Sequence, residues 1–361
     1  MISTARLAET LTRRLFLDRQ LQLWSGALAP TWSPSEILAR VVAVVAETRD
    51  TRTFVLAPNR HWRGHRAGQH TMVDVERDGA RVRRCYSLSS APGGRRVAIT
   101  VKRVPGGRVS GFLHESLRVG DIVRLSPPAG DFVLPDDHRP ELLFVSGGSG
   151  ITPLMSMLRD LDRRDAVEDV VFVHYARAKR DVIFGVELER LAARHPGLRL
   201  ILCLDDAANG GFDEARLAAA VPDFAERATF LCGPAGLMER VERMWHAAGA
   251  SARLTRERFS APPRKEAASV ADGTVAPEVA VTLARAGRTV AVATGAPLLE
   301  TLERAGERPP NGCRIGICHT CKCTKRSGTV ENLLTGAISD ADDEEIQLCI
   351  SVPRSDVELG L

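Results

Sequence analysis

The chain has 361 residues, of which 44% are hydrophobic and 26% charged, a composition typical of folded multidomain proteins rather than of disordered or fibrous ones. Its formal net charge is only +4, which argues against a nucleic-acid partner, because proteins of that class usually carry a strongly basic domain. The sequence contains no run of about 18 apolar residues, so it predicts no transmembrane helix.

The eight cysteines are distributed unevenly. Cys85, Cys203 and Cys232 are scattered, whereas the other five fall within the last 49 residues: Cys313, Cys318, Cys321, Cys323 and Cys349. Such clustering in a long chain without a recognisable signal peptide indicates a metal or cluster site in a reducing compartment rather than a disulfide framework. We therefore expect a cytoplasmic protein.

Residues 1–36 form a separate N-terminal segment. Leu7, Leu11 and Leu15 recur at helical spacing, which predicts a helix over residues 1–35 that ends near two prolines. This helix has two interpretations: it docks on the body of the protein, or it lies on a membrane surface. In the second case four arginines are available for anionic lipid: Arg6, Arg13, Arg14 and Arg19.

Residues 37–137 are predicted to form an antiparallel β-barrel. Short apolar runs are separated by turns that contain Gly and Pro, a pattern typical of antiparallel strands. The six predicted strands are Val41–Val45, Thr53–Leu56, His70–Val75, Arg83–Leu88, Val97–Val101 and Ile122–Leu125.

Residues 138–260 alternate between apolar strands and helices, which predicts an α/β domain with a parallel sheet covered by helices on both faces. The predicted strands are Leu142–Val145, Val170–His174, Leu198–Leu204 and Thr229–Cys232. The predicted helices are Pro153–Arg164, Phe184–Arg194, Glu214–Val221 and Pro234–Ala248. Sheets of this kind bind ligands at the carboxyl ends of their strands.

Residues 261–276 are rich in Pro, small and charged residues without periodicity, and they predict a linker. A third domain is expected over residues 277–361, opening with two alternating runs, Val279–Ala284 and Thr289–Val292.

The strongest chemical signal is the spacing of the C-terminal cysteines. Cys313, Cys318 and Cys321 form a C-x4-C-x2-C motif, and Cys349 follows after 27 intervening residues. This is the plant-type ferredoxin spacing, in which four thiolates hold a [2Fe–2S] cluster and loop glycines let backbone N–H groups turn toward the sulfides. The rival interpretation, structural zinc, usually requires two C-x2-C arms, of which only one is present. Cys323 is in excess and is expected not to bind the cluster.

Two further motifs lie in the predicted barrel. Arg84, Tyr86 and Ser87 occur at the end of a strand, where Tyr86 could cover a flavin ring, Ser87 could lie near its N5 atom and Arg84 could bind its phosphates. Gly107 to Ser110, with Val109 between them, open a short predicted helix. The free N–H groups of that helix could bind a pyrophosphate, or Ser110 could simply be its N-cap.

A glycine-rich loop follows the first predicted parallel strand, in the context expected of a phosphate-binding turn. The residues of this loop are Gly147, Gly148, Ser149, Gly150, Thr152 and Pro153. Thr152 is expected to cap the next helix and Pro153 to occupy its first position. Cys232, Gly233 and Pro234 end the last predicted parallel strand, at the edge where such sheets bind ligands.

Together these motifs resemble the ferredoxin–NADP reductase superfamily, in the branch that carries a fused C-terminal plant-type ferredoxin domain. The resemblance implies a multidomain fold with an antiparallel β-barrel for flavin, a parallel-sheet domain for NAD(P) and an α+β, β-grasp-like [2Fe–2S] domain. It assigns flavin binding to the RxYS and GxxS motifs and to the segment between them: Arg84, Tyr86, Ser87, Thr100, Lys102, Gly107, Val109 and Ser110.

The resemblance also assigns residues of the second domain. It implies that Gly147–Pro153 bind the dinucleotide and that Cys232, Gly233 and Pro234 lie beside the nicotinamide. It likens the segment 257–259 to the stretch that places an aromatic over the flavin. The residues expected at the site of hydride transfer are therefore Tyr86, Ser87, Cys232, Glu257 and Phe259.

These cofactors predict an electron-transfer reductase. A nicotinamide gives two electrons as hydride and a [2Fe–2S] cluster accepts one, so a flavin is required between them. We expect FAD rather than FMN, because GxxS followed by a helix resembles the FAD branch. NADPH is expected rather than NADH, because Arg177, Lys179 and Arg180 follow the second parallel strand and no acidic residue precedes Asp181.

The expected acceptor is a fatty-acyl desaturase, because residues 1–35 most resemble extensions on reductases that serve such enzymes. This acceptor would bring the protein to the inner face of a membrane. Two alternatives stay open: a Rieske-type or haem monooxygenase as the acceptor, and a role as an electron-carrying subunit of a stable complex. Acidic residues near the C-terminus suggest a docking face for the partner or simply a solvated loop: Asp340, Asp342, Asp343, Glu344 and Glu345.

Overall fold

A computed structural model of the chain describes residues 30–77, 80–135, 141–204, 212–259, 278–316 and 320–361. The chain divides into two units, residues 1–257 and 258–361. Most of the predicted N-terminal helix lies outside the described residues. The prediction is wrong for residues 30–35, which form turns and bends. Ser33 Oγ there accepts the backbone N–H of Glu36 at 2.9 Å.

The predicted antiparallel barrel is confirmed in the first unit. Its sheet has the order β4-β3-β6-β1-β2-β5. The strands are β1 (Ile37–Thr48), β2 (Thr51–Pro58), β3 (His70–Arg77), β4 (Ala80–Ser87), β5 (Val97–Lys102) and β6 (Ile122–Leu125). A bridge between Leu88 and Ile99 joins the two edges of the sheet. Alternate side chains point inward, and the fully buried ones include Val41, Phe54 and Val73.

Helix α1 (Arg108–Glu115) packs against this barrel through Val109 and Leu113, which are buried in its apolar core. The helix begins one turn before the position expected from a Ser110 cap. Gly107 is its N-cap, without a side-chain hydrogen bond, and Ser110 Oγ instead accepts the backbone N–H of Val104 at 3.2 Å. The alternative in which Ser110 caps the helix is therefore wrong.

The second sheet of this unit is entirely parallel, as predicted, with the order β11-β10-β7-β8-β9. Its strands are β7 (Glu141–Gly147), β8 (Asp169–Ala176), β9 (Leu198–Leu204), β10 (Ala228–Cys232) and β11 (Leu254–Glu257). Strand β11 was missed by the sequence patterns, because it has four residues and three of its side chains are not buried. The helices are α2 (Ile151–Arg163), α3 (Gly185–Arg194), α4 (Glu214–Ala220) and α5 (Ala235–Ala247).

Two apolar cores cover the faces of this sheet. Along β7, Phe144 contributes to the core that contains α2, whereas Leu143 and Val145 contribute to the core that contains Trp245 of α5. Burial on both faces explains why this strand is a continuous apolar run, and each such side chain contributes about 1.5–3 kcal/mol to folding. The two cores hold the carboxyl ends of the strands in fixed positions.

Among its described residues, the second unit contains two small sheets and one helix, α6 (Leu298–Arg304). Its strands are β12 (Glu278–Leu283), β13 (Arg288–Ala293), β14 (Lys322–Ser327), β15 (Val330–Asn332), β16 (Ile338–Ser339), β17 (Glu344–Gln347), β18 (Ser351–Pro353) and β19 (Val357–Leu359). The larger sheet has the order β13-β12-β19-β14-β17, and β12 pairs with β19 in parallel. Within the described ranges, no helix is both long and apolar enough to cross a membrane.

Candidate functional site

The barrel and the parallel sheet bring three polar side chains together in a buried position. Ser87, the last residue of β4, donates its hydroxyl to Glu257 Oε2 at 3.4 Å, although 170 positions separate the two residues. His70, the first residue of β3, pairs with Ser87 across the strands and places Nδ1 at 3.5 Å from Glu257 Oε1. All three are nearly inaccessible, with Glu257 only 6% exposed.

The chemistry of this cluster is set by burial. Burial raises the pKa of the Glu257 carboxyl, an effect only partly offset by its contacts with His70 and Ser87. Cys232 lies opposite Glu257 in the β10–β11 pairing, and burial together with the Glu257 charge raises the pKa of its thiol. Both groups are therefore biased toward their protonated forms, so the site can hold protons in a water-poor environment.

The other predicted flavin residues of the barrel have different surroundings. Tyr86 is half-buried against the barrel core, and burial raises the pKa of its hydroxyl. Arg84 is exposed and donates to the backbone oxygen of Arg83 at 2.8 Å. Thr100 is buried, and its hydroxyl forms hydrogen bonds with Ser89 at 2.9 Å and Thr53 at 2.8 Å. Its predicted place near the flavin diphosphate stays a prediction.

A polar cleft opens at the start of α1, where the GxxS motif lies. Its volume is about 300 Å³, and Gly107 lines it together with Arg103, Arg108 and Glu115, the last of which forms an ion pair with Arg103. A Cβ atom on Gly107 would lie 2.4 Å from Ser110 Oγ and 3.0 Å from the Val104 backbone oxygen, so a larger residue here would displace the Ser110 hydroxyl. The donors and positive charges around the helix start suit a phosphate group.

The glycine loop after β7 passes very close to the end of β10. A Cβ atom on Gly150 would lie 2.2 Å from the Cys232 backbone oxygen, and one on Gly147 would lie 2.8 Å from Pro234 Cδ. The loop continues as a short 3-10 turn (Gly148–Gly150), so α2 begins at Ile151. The predicted cap and first helical position are therefore wrong. Thr152 and Pro153 lie inside the helix, and the Thr152 hydroxyl donates to Ser149 O at 3.0 Å.

A cleft of about 300 Å³ lies at this carboxyl edge, as the fold predicts. Its described lining includes Gly147, Gly148 and Pro234 together with three basic residues: Lys102, Arg177 and Arg240. Lys179 and Arg180 line a different cleft, and Lys179 pairs with Glu189 at 3.2 Å. Three basic residues follow β8, and of these the structure places only Arg177 at the predicted dinucleotide site.

The second unit brings two of the four predicted cluster cysteines, Cys321 and Cys349, into contact, and the charge of a third, Cys313, acts on Cys349. Cys321 and Cys349 form a sulfur–sulfur hydrogen bond, and the Gly316 N–H donates to Cys349. The Cys321 contact, burial and the Cys313 charge raise the pKa of the Cys349 thiol. Crowded thiols are costly when ionised, so this donor set fits a cationic iron cluster that would stabilise four thiolates. Cys318 lies outside the described residues.

Cys323 lies in the same apolar core of the second unit as Cys321 and Cys349, but other neighbours act on the pKa of its thiol. Burial raises the pKa of this thiol, while the Gly360 backbone and Arg285 lower it. Among the described residues, no cysteine contributes to that change in pKa, in contrast to Cys349. Phe259, the predicted aromatic, follows Glu257 by two positions and is 38% exposed.

The sequence patterns missed several residues of these sites, among them His70, Arg103 and Arg240. His70 was assigned only to a strand, and its place opposite Ser87 follows from strand register. Arg240 lies on α5, where its guanidinium stacks 5.7 Å from the centre of the Phe212 ring. Its position two turns after Cys232–Pro234 was the signal available in the sequence, since the first turns of a helix at a sheet's carboxyl edge face the ligand.

Comparison with known proteins agrees with this architecture. Family models match residues 38–134 as an oxidoreductase FAD-binding domain, 144–243 as an oxidoreductase NAD-binding domain and 281–354 as a 2Fe-2S iron-sulfur cluster binding domain. The chain is 39% identical to an NADPH oxidoreductase of Mycobacterium tuberculosis, over 99% of this chain and 91% of that protein. It is 37% identical to the glycine betaine monooxygenase reductase subunit of Pseudomonas aeruginosa PAO1, over 91% and 96%.

The solved structure of phthalate dioxygenase reductase is also similar, with 25% sequence identity and a TM-score of 0.61 over 90% of this chain and 98% of that one. The fold and the sites thus define a flavin- and iron–sulfur-dependent NAD(P)H oxidoreductase. More narrowly, the chain belongs to the family of ferredoxin reductases that resemble phthalate dioxygenase reductase and carry a 2Fe-2S domain.

Proposed function

We propose that this chain is the NADPH-dependent, FAD-containing reductase of a two-component system and passes single electrons from its cluster to a partner oxygenase. The observation that carries the proposal is the convergence of Ser87, Cys232 and Glu257 at the junction of the barrel and the parallel sheet. A flavin held beside these residues would supply the conversion between two-electron hydride chemistry and one-electron transfer.

The residues of the chain have separate roles in this proposal. Arg108, at the start of α1, would bind a diphosphate together with Arg103, which is shared with Glu115; this favours FAD over FMN because FMN carries one phosphate. Glu257 and Ser87 share a hydrogen bond in a buried position, so they can keep a proton beside the hydride-transfer site. Cys232 would exclude water from the nicotinamide, since its side chain is fully buried.

The preference for NADPH is supported by the charge of the dinucleotide cleft. Arg177, which follows β8, and Arg240 of α5 line it, and two guanidinium groups suit a 2′-phosphate. The name of the relative from Mycobacterium tuberculosis also includes NADPH. Arg177→Ala should raise the KM for NADPH about tenfold and leave that for NADH nearly unchanged. Equal losses with both dinucleotides would contradict this role.

The acceptor class is supported by the names of relatives. Besides the glycine betaine enzyme, they include a stachydrine N-demethylase reductase subunit and the ferredoxin reductase component of a 3-ketosteroid-9-alpha-monooxygenase. No relative among these names a desaturase, so the sequence expectation of a fatty-acyl desaturase finds no support here. Membrane association likewise stays a prediction that rests on residues outside the described ranges.

Reconstitution tests the proposal. The purified holoprotein should show flavin and [2Fe–2S] absorption, and NADPH should bleach both under anaerobic conditions. It should then support turnover by a terminal oxygenase and not by a fatty-acyl desaturase. Turnover of a desaturase but not of an oxygenase would overturn the acceptor assignment, and bleaching by NADH alone would overturn the dinucleotide assignment.

A further inference from the structure

The turn between β1 and β2 reaches the dinucleotide cleft from the barrel side. Two neighbouring residues of this turn, Arg49 and Asp50, have opposite charges. Arg49 Nε lies 3.8 Å from Asp181 Oδ1, and Asp50 Oδ2 lies 3.8 Å from Arg177 Nη2. The turn therefore forms two reciprocal ion pairs with the segment that follows β8.

Asp50 is held firmly in this arrangement. Its Oδ1 atom accepts the hydroxyls of Thr48 at 3.0 Å and Thr51 at 3.1 Å, while Oδ2 also faces Lys102 Nζ at 3.6 Å. Burial alone would raise the pKa of Asp50, but the two hydroxyls and the charges of Lys102 and Arg177 lower it overall. The carboxylate is therefore a fixed negative charge next to two cations of the cleft.

Asp181 is the acidic residue among the described residues that line the cleft. Its side chain is only 9% exposed, and its Oδ1 atom is buried without a hydrogen-bond partner among the described residues. A free carboxylate at this edge of a dinucleotide site suits the ribose hydroxyls of NADH and repels a 2′-phosphate. Arg49 is the described cation paired with it.

We propose that Arg49 and Asp50 determine the preference between NADPH and NADH, with opposite effects. Arg49 neutralises Asp181 and so favours the 2′-phosphate, whereas Asp50 competes with that phosphate for Arg177 and Lys102. This inference rests on the proposed dinucleotide site. It assigns a specificity role to a turn of the flavin-binding barrel, outside the domain that matches the NAD-binding family.

The two substitutions should change the affinity for a nucleotide with a 2′-phosphate in opposite directions. Exposed ion pairs contribute up to about 1 kcal/mol, which corresponds to about a fivefold change in affinity. Arg49→Ala should weaken the binding of 2′,5′-ADP about two- to fivefold, and Asp50→Asn should strengthen it by a similar factor. Binding of 5′-AMP, which lacks the 2′-phosphate, should change less in both variants. The double variant should lie close to the wild type.

Calorimetric titration of the flavin-loaded protein with these two nucleotides measures the effect without turnover. Arg63→Ala and Asp131→Asn are matched controls, because both residues are exposed and neither lines the described cleft. Arg49 is 64% exposed on its side chain, so its removal should leave the melting temperature unchanged.

Three results would overturn the inference: changes of the same sign in both variants, equal changes with both nucleotides, or no change in either. A wild-type protein that binds 5′-AMP more tightly than 2′,5′-ADP would instead overturn the proposed NADPH preference. The signs in the two variants would still decide the role of the turn in that case.

Discussion

Replacing Gly150 by Ala tests whether the close contact between the glycine loop and β10 builds the dinucleotide site. A Cβ atom at this position would lie 2.2 Å from the Cys232 backbone oxygen, 2.4 Å from its carbonyl carbon and 2.7 Å from the Gly233 nitrogen. Ordinary contact begins at 3.4 Å, so the loop and the strand must separate by more than 1 Å. All three neighbours are backbone atoms, which cannot rotate away as a flexible side chain could.

The expected magnitude follows from that geometry. Overpacking costs about 1–3 kcal/mol, and an obstacle made of backbone places Gly150→Ala at the upper end, about 3 kcal/mol. For a unit of this size the melting temperature should fall by about 6–12 °C. A displacement of about 1 Å near the reacting groups can reduce rates about 100-fold, so kcat/KM for NADPH should fall by about 10- to 100-fold.

Differential scanning calorimetry and steady-state ferricyanide reduction measure the two effects. Gly236→Ala is a control for stability alone, because Gly236 lies in α5 and a Cβ atom there meets nothing within 4 Å, but the residue also lines the dinucleotide cleft. The control should be neutral or slightly more stable, since alanine favours helix. A Gly150→Ala protein with wild-type melting temperature and NADPH kinetics would refute the reasoning.

Three other predictions concern the cluster, the buried carboxyl and the acidic loop. Replacing any of the four predicted ligands by Ser should bleach the cluster and leave NADPH-to-ferricyanide activity, whereas Cys323→Ser should keep the cluster spectrum. A bleached Cys323→Ser protein beside a normally coloured Cys321→Ser protein would show that the ligand register is wrong. Because the folded-state pKa of Glu257 is raised, its ionisation destabilises the fold as pH rises above about 4.5, the ordinary value. Glu257→Gln should therefore gain melting temperature relative to the wild type as pH increases, and parallel pH profiles would contradict this. If the acidic residues of 340–345 form the docking face, electron delivery to the partner should slow as the salt concentration increases, because salt screens charges beyond roughly 8 Å. A rate that does not depend on salt would contradict this docking face.

Local patterns were sufficient for most of the architecture. The strands of the barrel and four of the five parallel strands have alternating or continuous apolar runs, and such runs depend only on which faces are buried. Helix starts were less predictable. Ser110 and Thr152 both have the chemistry of a cap, but the chain had already entered a helix or 3-10 turn before each of them, so their hydroxyls bond elsewhere.

The sequence by itself determined the kinds of chemistry, because cysteine spacing and glycine-rich turns depend on neighbours within a few residues. Only the tertiary structure decided which residues meet. Glu257 lies 170 positions from Ser87, and their contact exists because the barrel packs against the carboxyl edge of the parallel sheet. The same packing brings Asp50 to Arg177, while the turn at Lys179–Asp181 directs Lys179 to another cleft. Such contacts depend on how two cores pack together, which no short stretch of sequence encodes.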